Sequence, residues 1–251
     1  MLLESFDLLL LACAIFGAAL LYTAVGHAGA SGYLAAMAFF GVAPEVMRPT
    51  ALTLNILVAS FATARLQRVR LVSWRALAPL AAASIPCAFI GGSIHLPASM
   101  YRPLLGAVLL AAAAKLFFQP RAPTSPETGA AAPLPLAPGL ATGALVGLLS
   151  GLTGTGGGIF LSPLLLFFGW AGARQMAGLT APFILVNSIA GLAGNFLSLR
   201  SLPAELPSLV VAALGGAIVG TQLGIRWLSI GALQRVLAVV LVVAAGKFLL
   251  S

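Results

Sequence analysis

The sequence contains very little charge, and acidic residues are its scarcest charged type. Only 7% of its 251 residues are charged, with 5 Asp or Glu against 13 Lys or Arg. A soluble domain carries about 25% charged residues, whereas 61% of this chain is hydrophobic. The composition therefore predicts an integral membrane protein. Its continuous Leu- and Ala-rich runs favour α-helices over the short alternating strands of a β-barrel.

The few cysteines and carboxylates are placed where they exclude several kinds of site. Cys13 and Cys87 lie singly in apolar runs with no second Cys or His at ligand spacing, so we expect neither a disulfide nor a metal site. The acids lie at segment ends or in a linker: Glu4, Asp7, Glu45, Glu127 and Glu205. An acidic proton relay or a carboxylate cation site inside the membrane is therefore not supported. We expect a neutral-to-positive interior that suits an anion, and no cofactor.

The net charge of +8 does not indicate a nucleic-acid partner. The basic residues are scattered at the ends of apolar segments, where orientation signals and lipid headgroups place them. Glu4 and Asp7 stand where a signal peptide carries Lys or Arg, so the N-terminus is predicted to be a retained first helix. We expect a multi-pass protein of the plasma (inner) membrane in contact with lipid, and homo-oligomerisation stays open.

Two short apolar segments occupy corresponding places in the two halves of the chain. The segments 32–43 and 157–170 are too short to resemble ordinary membrane spans, and each follows a Gly-rich stretch. A Pro-, Ala- and Thr-rich linker separates the halves. We predict a first transmembrane repeat at 1–118, a cytoplasmic linker at 119–138 and a second repeat at 139–251. The apolar segments are 8–25, 32–43, 50–66, 76–94, 100–118, 136–152, 157–170, 178–199, 206–226 and 229–250.

The two halves also match each other in sequence. "AGASGYLAAMAFFGVAP" (28–44) aligns with "GTGGGIFLSPLLLFFGWAG" (154–172), and Thr50 then aligns with Thr180. The shared order of such matches predicts an internal duplication, with about five helical segments in each repeat and a short broken helix after each Gly-rich stretch. The fold class is an all-α polytopic membrane protein.

The orientation follows from the distribution of basic residues. If every segment crosses, the second repeat is inverted relative to the first. An extracellular N-terminus then places most of the Lys and Arg on the cytoplasmic side, as the positive-inside rule requires. If the two short segments are re-entrant instead, each half has four crossings and the repeats are parallel.

Glycine is concentrated in the stretch "GLTGTGGGIFLSP" (151–163). Irregular backbone at membrane depth must be buried or line a cavity, and paired interrupted helices indicate the substrate site of a secondary transporter. A helix that begins after such a break presents free N–H groups and the positive end of its dipole, which bind oxyanions. The predicted substrate-binding residues lie in or beside the two breaks: Thr153, Gly154, Thr155, Gly156, Gly157, Gly158, His27, Gly29, Ser31, Gly32, Thr50, Thr180, Asn55 and Asn187.

Each of these features has a structural alternative. Glycines also permit close helix packing, which we favour for Gly91, Gly92, Gly215, Gly216 and Gly220. His27 either carries a proton or is merely hydrogen-bonded, and Asn55 either lines the cavity or bonds between helices. Arg48 and Arg174 either attract anions to the mouths of the site or anchor the protein at the membrane interface.

Two stretches of the second half resemble the sulfite exporter TauE/SafE family of membrane permeases. They are "GLLSGLTGTGGGIFLSPLLL" (147–166) and "AIVGTQLGIRWLSIGALQRVLAVVLVVAAGKFLL" (217–250), and the likeness extends over both halves. The resemblance implies a plasma-membrane permease that exports small anions, often sulfur-containing, such as sulfite, sulfoacetate and related organosulfonates. The first-half motif "GHAGASG" (26–32) departs from the glycine run of the family, so the second-half stretch is the better-supported site.

We therefore expect a secondary transporter that exports small anions by alternating access. One alternative is an anion channel, which would show uncoupled conductance, and another is a non-transporting subunit of a membrane assembly. An enzyme is not expected, because the sequence contains no Ser-His, Asp-Asp or His-Glu-x-x-His constellation.

Overall fold

The computed structural model of the chain describes residues 5–24, 26–118, 131, 134–171, 173–226, 239, 241–242, 245–246 and 249. Within these residues every regular element is a helix, as the all-α prediction requires. The α-helices are α1 Ser5–Ala24, α2 Ala30–Phe39, α3 Pro44–Arg68, α4 Trp74–Ser93, α5 Ala98–Phe118, α6 Leu136–Thr153, α7 Gly158–Phe167, α8 Ala173–Gly194 and α9 Leu206–Arg226, with a 3₁₀ helix at Phe196–Ser201.

Five of these helices have the length and apolar composition of membrane spans: Phe6–Ala24, Pro44–Arg68, Trp74–Ser93, Leu136–Thr153 and Gln175–Gly194. The short helices α2 and α7 each follow a glycine-containing break, as predicted. The predicted tenth segment, 229–250, falls almost entirely outside the described residues.

Helix α6 begins at Leu136, as the segment 136–152 predicts. Other predicted segment ends differ from the structure. Helices α3 and α8 begin at Pro44 and Ala173, before the predicted starts at 50 and 178. Helix α8 ends at Gly194 instead of continuing to 199, because a 3₁₀ turn begins at Phe196.

The helices of one half pack mainly against those of the other half. Helix α1 packs along α9, and α6 packs along α4. The first helix of each half therefore pairs with the fourth helix of the other half. The third helices, α3 and α8, contact each other directly. This exchange of partners supports the predicted internal duplication.

Glycines allow the backbones of these paired helices to approach closely. An added Cβ on Gly143 or Gly151 of α6 would lie 2.2 Å from the carbonyl oxygen of Leu80 or Ala88 of α4, respectively. Gly216 of α9 has the same 2.2 Å approach to a carbonyl oxygen of α1. Gly216 therefore serves close helix packing, as expected. The α6 and α4 contacts advance together along both helices, so these two helices run parallel.

Helix α8 runs in the same direction as α4. Asn187 donates to the Ser84 hydroxyl at 3.1 Å. One to two turns further along both helices, an added Cβ on Gly194 would lie 2.1 Å from the carbonyl oxygen of Phe89. Because α4, α6 and α8 share one direction, the chain between α6 and α8, which includes α7, must return across the bundle.

Helix α3 runs opposite to α8. The Asn55 amide contacts the Ser188 hydroxyl at 3.4 Å. An added Cβ on Gly191, one turn later on α8, would lie 3.7 Å from the side chain of Leu52, one turn earlier on α3. An inverted pair of five-segment repeats requires equivalent helices such as α3 and α8 to be antiparallel, whereas re-entrant short segments would make them parallel. The helix directions thus support the inverted arrangement, which stays a prediction.

Candidate functional site

The break between α6 and α7 is an irregular, buried connection. Gly154, Gly156 and Gly157 have φ angles of +79°, +73° and +82°, a region that side chains other than glycine rarely adopt. Thr153 and Thr155 are 0% and 4% exposed. The glycines are thus required by the backbone, which reverses sharply inside the protein.

The carbonyl groups at the end of α6 are covered by donors. The Thr153 hydroxyl donates to Leu149 O at 2.7 Å, and the Gly154 N–H donates to Ser150 O at 2.8 Å. Tyr101 of α5 donates its hydroxyl to Thr153 O at 3.0 Å. These bonds satisfy acceptors that a helix C-terminus would otherwise leave open.

Arg48 of α3 covers a further carbonyl of α6 and several of α4. Its Nη2 donates to Gly151 O at 2.6 Å and to Gly91 O and Gly92 O at 2.7 Å, and its Nη1 donates to Ile94 O at 3.0 Å. The side chain is only 6% exposed.

The guanidinium of Arg48 is therefore buried against two helix ends, because their unpaired carbonyls need donors where water is excluded. Its expected roles, attraction of anions or anchoring at the membrane interface, stay predictions. The side chain of Arg174 lies outside the described residues.

By contrast, the backbone N–H groups of residues 156–158, at the start of α7, have no hydrogen-bond acceptor among the described residues. Gly157 O accepts the Leu161 N–H at 3.0 Å, which begins the helix. The N–H groups of Gly156, Gly157 and Gly158 make no hydrogen bond within the described part of the chain. The last carbonyls of α6 are thus largely covered, whereas the amides of 156–158 are uncommitted, and exposed amides are what an oxyanion needs.

Asn55 reaches this break from α3. Its Nδ2 contacts Thr155 O and the Ser188 hydroxyl, both at 3.4 Å, while its Oδ1 has no partner among the described residues. Asn55 therefore combines the two roles considered for it, since it bonds between helices and also faces the break. Ser188 is a contact that the sequence reasoning missed, although it forms a polar pair with Asn187 in an apolar helix. Tyr101 was missed as well, and no pattern around it identifies it.

Three other predicted residues are less directly placed. Thr180 lies beside Gly158 through its methyl group, because its hydroxyl donates to Met176 O at 2.6 Å. Asn187 bonds to α4 and to its own helix, and its Oδ1 has no described partner. Thr50 is fully buried on α3, and its hydroxyl has no partner in the described residues.

The first-half break, before α2, is packed from both repeats, since an added Cβ on Gly26 would lie 2.5 Å from Ala177 of α8. Gly29 has a φ of +105° and precedes the helix. The Ser31 hydroxyl is hydrogen-bonded to the Tyr22 hydroxyl, and an added Cβ on Gly32 would lie 2.7 Å from Ala18. The amides at the start of α2 (30–32) also make no hydrogen bond within the described residues. The two breaks thus share one polarity, although their side chains differ.

His27 connects the two breaks. It is 7% exposed, and its Nε2 forms a 2.6 Å hydrogen bond with the Ser162 hydroxyl of α7. Ser162 in turn donates to Gly158 O at 2.8 Å. His27 is therefore hydrogen-bonded, and its role as a proton carrier stays a prediction.

An apolar cavity lies apart from both breaks. None of its lining residues belongs to a predicted site, and its one ionisable lining residue is Glu205, so it does not suit an anion. The lining is formed by Leu8, Leu11, Met37, Val42, Val46, Pro203, Glu205 and Leu209.

Comparison of the whole chain with known protein families agrees with the pattern of two glycine-containing breaks. The family model described as "Sulfite exporter TauE/SafE" matches residues 10–248. The chain belongs to the sulfite exporter TauE/SafE family. The "Probable membrane transporter protein y4hK" of Sinorhizobium fredii (strain NBRC 101917 / NGR234) is 42% identical over 239 residues, which cover 95% of this chain and 97% of that protein. No solved structure matches the chain.

Membership of the TauE/SafE family confirms the resemblance seen in the glycine-rich and C-terminal stretches. Together with the apolar helices, it makes the chain a multi-pass transporter of the plasma membrane. The break between α6 and α7 lies inside the matched region.

Proposed function

We propose that this TauE/SafE family member is a secondary transporter that exports small anions by alternating access. The substrates we propose are sulfur oxyanions and organosulfonates such as sulfite and sulfoacetate. The observation that carries the proposal is the polarity of the α6–α7 break, where donors cover Gly151 O and Thr153 O at the end of α6 and the amides of 156–158 stay uncommitted.

The charge distribution supports the same substrate class. Among the described side chains, Arg48 is the only Lys, Arg, Asp or Glu that is buried. A buried positive charge beside uncommitted amides favours an anion and disfavours a cation. The several oxygens of a sulfite or sulfonate group suit a cluster of N–H donors and the Thr155 hydroxyl.

Alternating access fits the way the two halves interlock. Each break is buried, and the hydrogen bond from His27 to Ser162 joins the first break to α7. We propose that relative movement of the two repeats breaks contacts of this kind and opens the site to one side of the membrane at a time. An extracellular N-terminus and a cytoplasmic linker belong to this proposal.

Flux into proteoliposomes tests the function directly. We expect the purified protein to accumulate labelled sulfite or sulfoacetate when a coupling gradient is imposed, and to conduct no uncoupled anion current in planar bilayers. A current without coupled accumulation would indicate an anion channel instead. If neither flux nor current appears for sulfite, thiosulfate, sulfate or sulfoacetate, the proposed function is wrong.

A further inference from the structure

The guanidinium of Arg48 is a buried charge whose hydrogen bonds all go to backbone carbonyls. No carboxylate of the described residues lies within salt-bridge distance, and its Nε has no partner there. A buried charge without a carboxylate is costly unless its surroundings stabilise it in another way. The backbone carbonyls that accept from Arg48 provide this stabilisation.

These acceptors lie at the C-terminal ends of two helices. Gly91 and Gly92 are in the last turn of α4, and Gly151 is in the last turn of α6. Because α4 and α6 run parallel, their negative dipole ends lie side by side. Each end is equivalent to about −0.5 charge, so the single positive charge of Arg48 is of the size needed to offset both.

This compensation occurs beside the amides of the α6–α7 break. An added Cβ on Gly154 would lie 2.9 Å from Cγ of Arg48, so the arginine packs directly on the break. Without the cation, an anion at the amides of 156–158 would face two negative helix ends. With Arg48 present, its positive charge offsets the negative field of these carbonyls. The N–H groups of residues 156–158 then determine the sign of the electrostatic potential at the break.

The corresponding place in the other repeat holds no cation. The alignment of Thr50 with Thr180 puts Gly178 opposite Arg48. An added Cβ on Gly178 would lie 2.0 Å from Leu71 O, so close backbone contact leaves no room for a side chain there. The position equivalent to Arg48 thus carries no charge in the other repeat.

We infer that Arg48 determines the charge specificity of the α6–α7 break and makes it favour doubly charged oxyanions over singly charged ones. This inference rests on the proposed anion transport and adds the substrate class, dianionic sulfur oxyanions. Arg48 acts through its field on the break and is therefore a positioning residue for the bound anion. The Coulomb energy of a fixed charge grows in proportion to the charge of the ligand.

Binding of a monoanion and a dianion to three variants tests this inference. Methanesulfonate and thiosulfate serve as probes, with dissociation constants and melting temperatures measured in detergent. If the anion binds about 10 Å from the guanidinium at an effective dielectric of about 20, Arg48→Gln should weaken methanesulfonate roughly 15-fold and thiosulfate roughly 250-fold. Arg48→Lys keeps the charge, so it should lower the melting temperature while preserving the dianion preference.

Arg65→Gln is the matched control. Arg65 lies on the same helix and donates to the neutral hydroxyl of Thr221 at 2.7 Å, so its loss should leave both affinities unchanged. Equal weakening of both anions by Arg48→Gln, or loss of the preference in Arg48→Lys, would show that the arginine is only a structural clamp and would overturn the inference.

A further variant covers the case in which Arg48→Gln does not fold. Glu45 is exposed and lies one turn before Arg48 on α3. Glu45→Gln removes an opposing charge, so at low salt it should strengthen thiosulfate binding by about 2-fold and methanesulfonate binding by less. An unchanged ratio would contradict the inference. A wild-type protein that binds neither anion would refute the proposed function itself.

Discussion

His27 and Ser162 join the first break to α7 by a hydrogen bond of 2.6 Å. The sequence left two roles open for His27, a hydrogen-bonded side chain and a proton carrier. One histidine can serve both, because a hydrogen-bonded imidazole can still bind and release a proton. No acidic side chain among the described residues is buried. Proton coupling, if transport uses it, therefore has His27 as its candidate carrier.

We expect His27→Gln to remove the pH dependence of transport while leaving flux at the optimal pH measurable, because glutamine can hydrogen-bond Ser162 but cannot carry a proton. Initial rates of sulfite flux between about pH 5 and 8, the range in which histidine titrates, provide the measurement. Ser162→Ala is the control, since it removes the hydrogen bond and keeps the imidazole. A His27→Gln profile that matches wild type would exclude His27 as the carrier.

At the scale of the helices, the sequence predicts the order and type of the elements well and their contacts poorly. The short helices α2 and α7 follow from apolar run length and from the glycines before them, because both signals are local. The donors that cover the carbonyls of α6 come from Tyr101 and Arg48, which are distant in sequence. Their roles depend on how α3, α4 and α5 pack, and no local pattern carries that information. The bonds from Arg48 to carbonyls of both α4 and α6 are the clearest example.

The packing of α1 against α9 gives a prediction with an internal control. Gly17 and Gly216 lie on this helix pair, and an added Cβ on Gly17 meets nothing within 4 Å, whereas one on Gly216 would lie 2.2 Å from a backbone oxygen. Gly17→Ala should therefore stabilise the protein by up to about 1 kcal/mol through helix propensity. Gly216→Ala should destabilise it by about 1–3 kcal/mol through overpacking.

Thermal unfolding of the two variants in the same detergent measures this difference. Equal shifts in melting temperature for Gly17→Ala and Gly216→Ala would show that the helices do not approach as described. The comparison does not depend on knowing the substrate.

At the scale of the whole molecule, two halves of similar sequence interlock through exchanged helix pairs. Helices α4, α6 and α8 share one direction and α3 opposes α8, which is the relation that inverted repeats require. The positive-inside count predicts that the linker 119–138 lies in the cytoplasm. Much of that linker lies outside the described residues, so its location is tested by chemistry.

We expect a cysteine at Ser125 to be protected from a membrane-impermeant maleimide added to intact cells, and to react after the cells are permeabilised. The background carries Cys13→Ala and Cys87→Ala, because these are the native thiols. Ser99→Cys, in an exposed position at the start of α5, is the positive control and should react from outside. Labelling of Ser125→Cys in intact cells would contradict the inverted topology.

The most direct test of an anion site at the α6–α7 break is the anion affinity of Thr155→Val. Alanine at Gly156 or Gly157 is a poorer test, because the φ angles of +73° and +82° would strain the backbone as well as the site. The Thr155 hydroxyl donates to Thr153 at 2.9 Å, because the Thr153 hydrogen goes to Leu149 O. We expect the Thr155 hydroxyl to turn to a bound anion, which valine, of nearly the same shape, cannot do. Thr142→Val, at a buried threonine earlier on α6, is the control.

Isothermal titration of sulfite into both purified variants, with melting temperatures beside it, makes the measurement. Loss of one hydrogen bond to a charged ligand costs roughly 1.5–3 kcal/mol, which corresponds to about 10- to 150-fold weaker binding. The account predicts this loss for Thr155→Val with little change in melting temperature, and wild-type affinity for Thr142→Val. Wild-type sulfite affinity in a folded Thr155→Val protein would contradict the placement of the anion at this break.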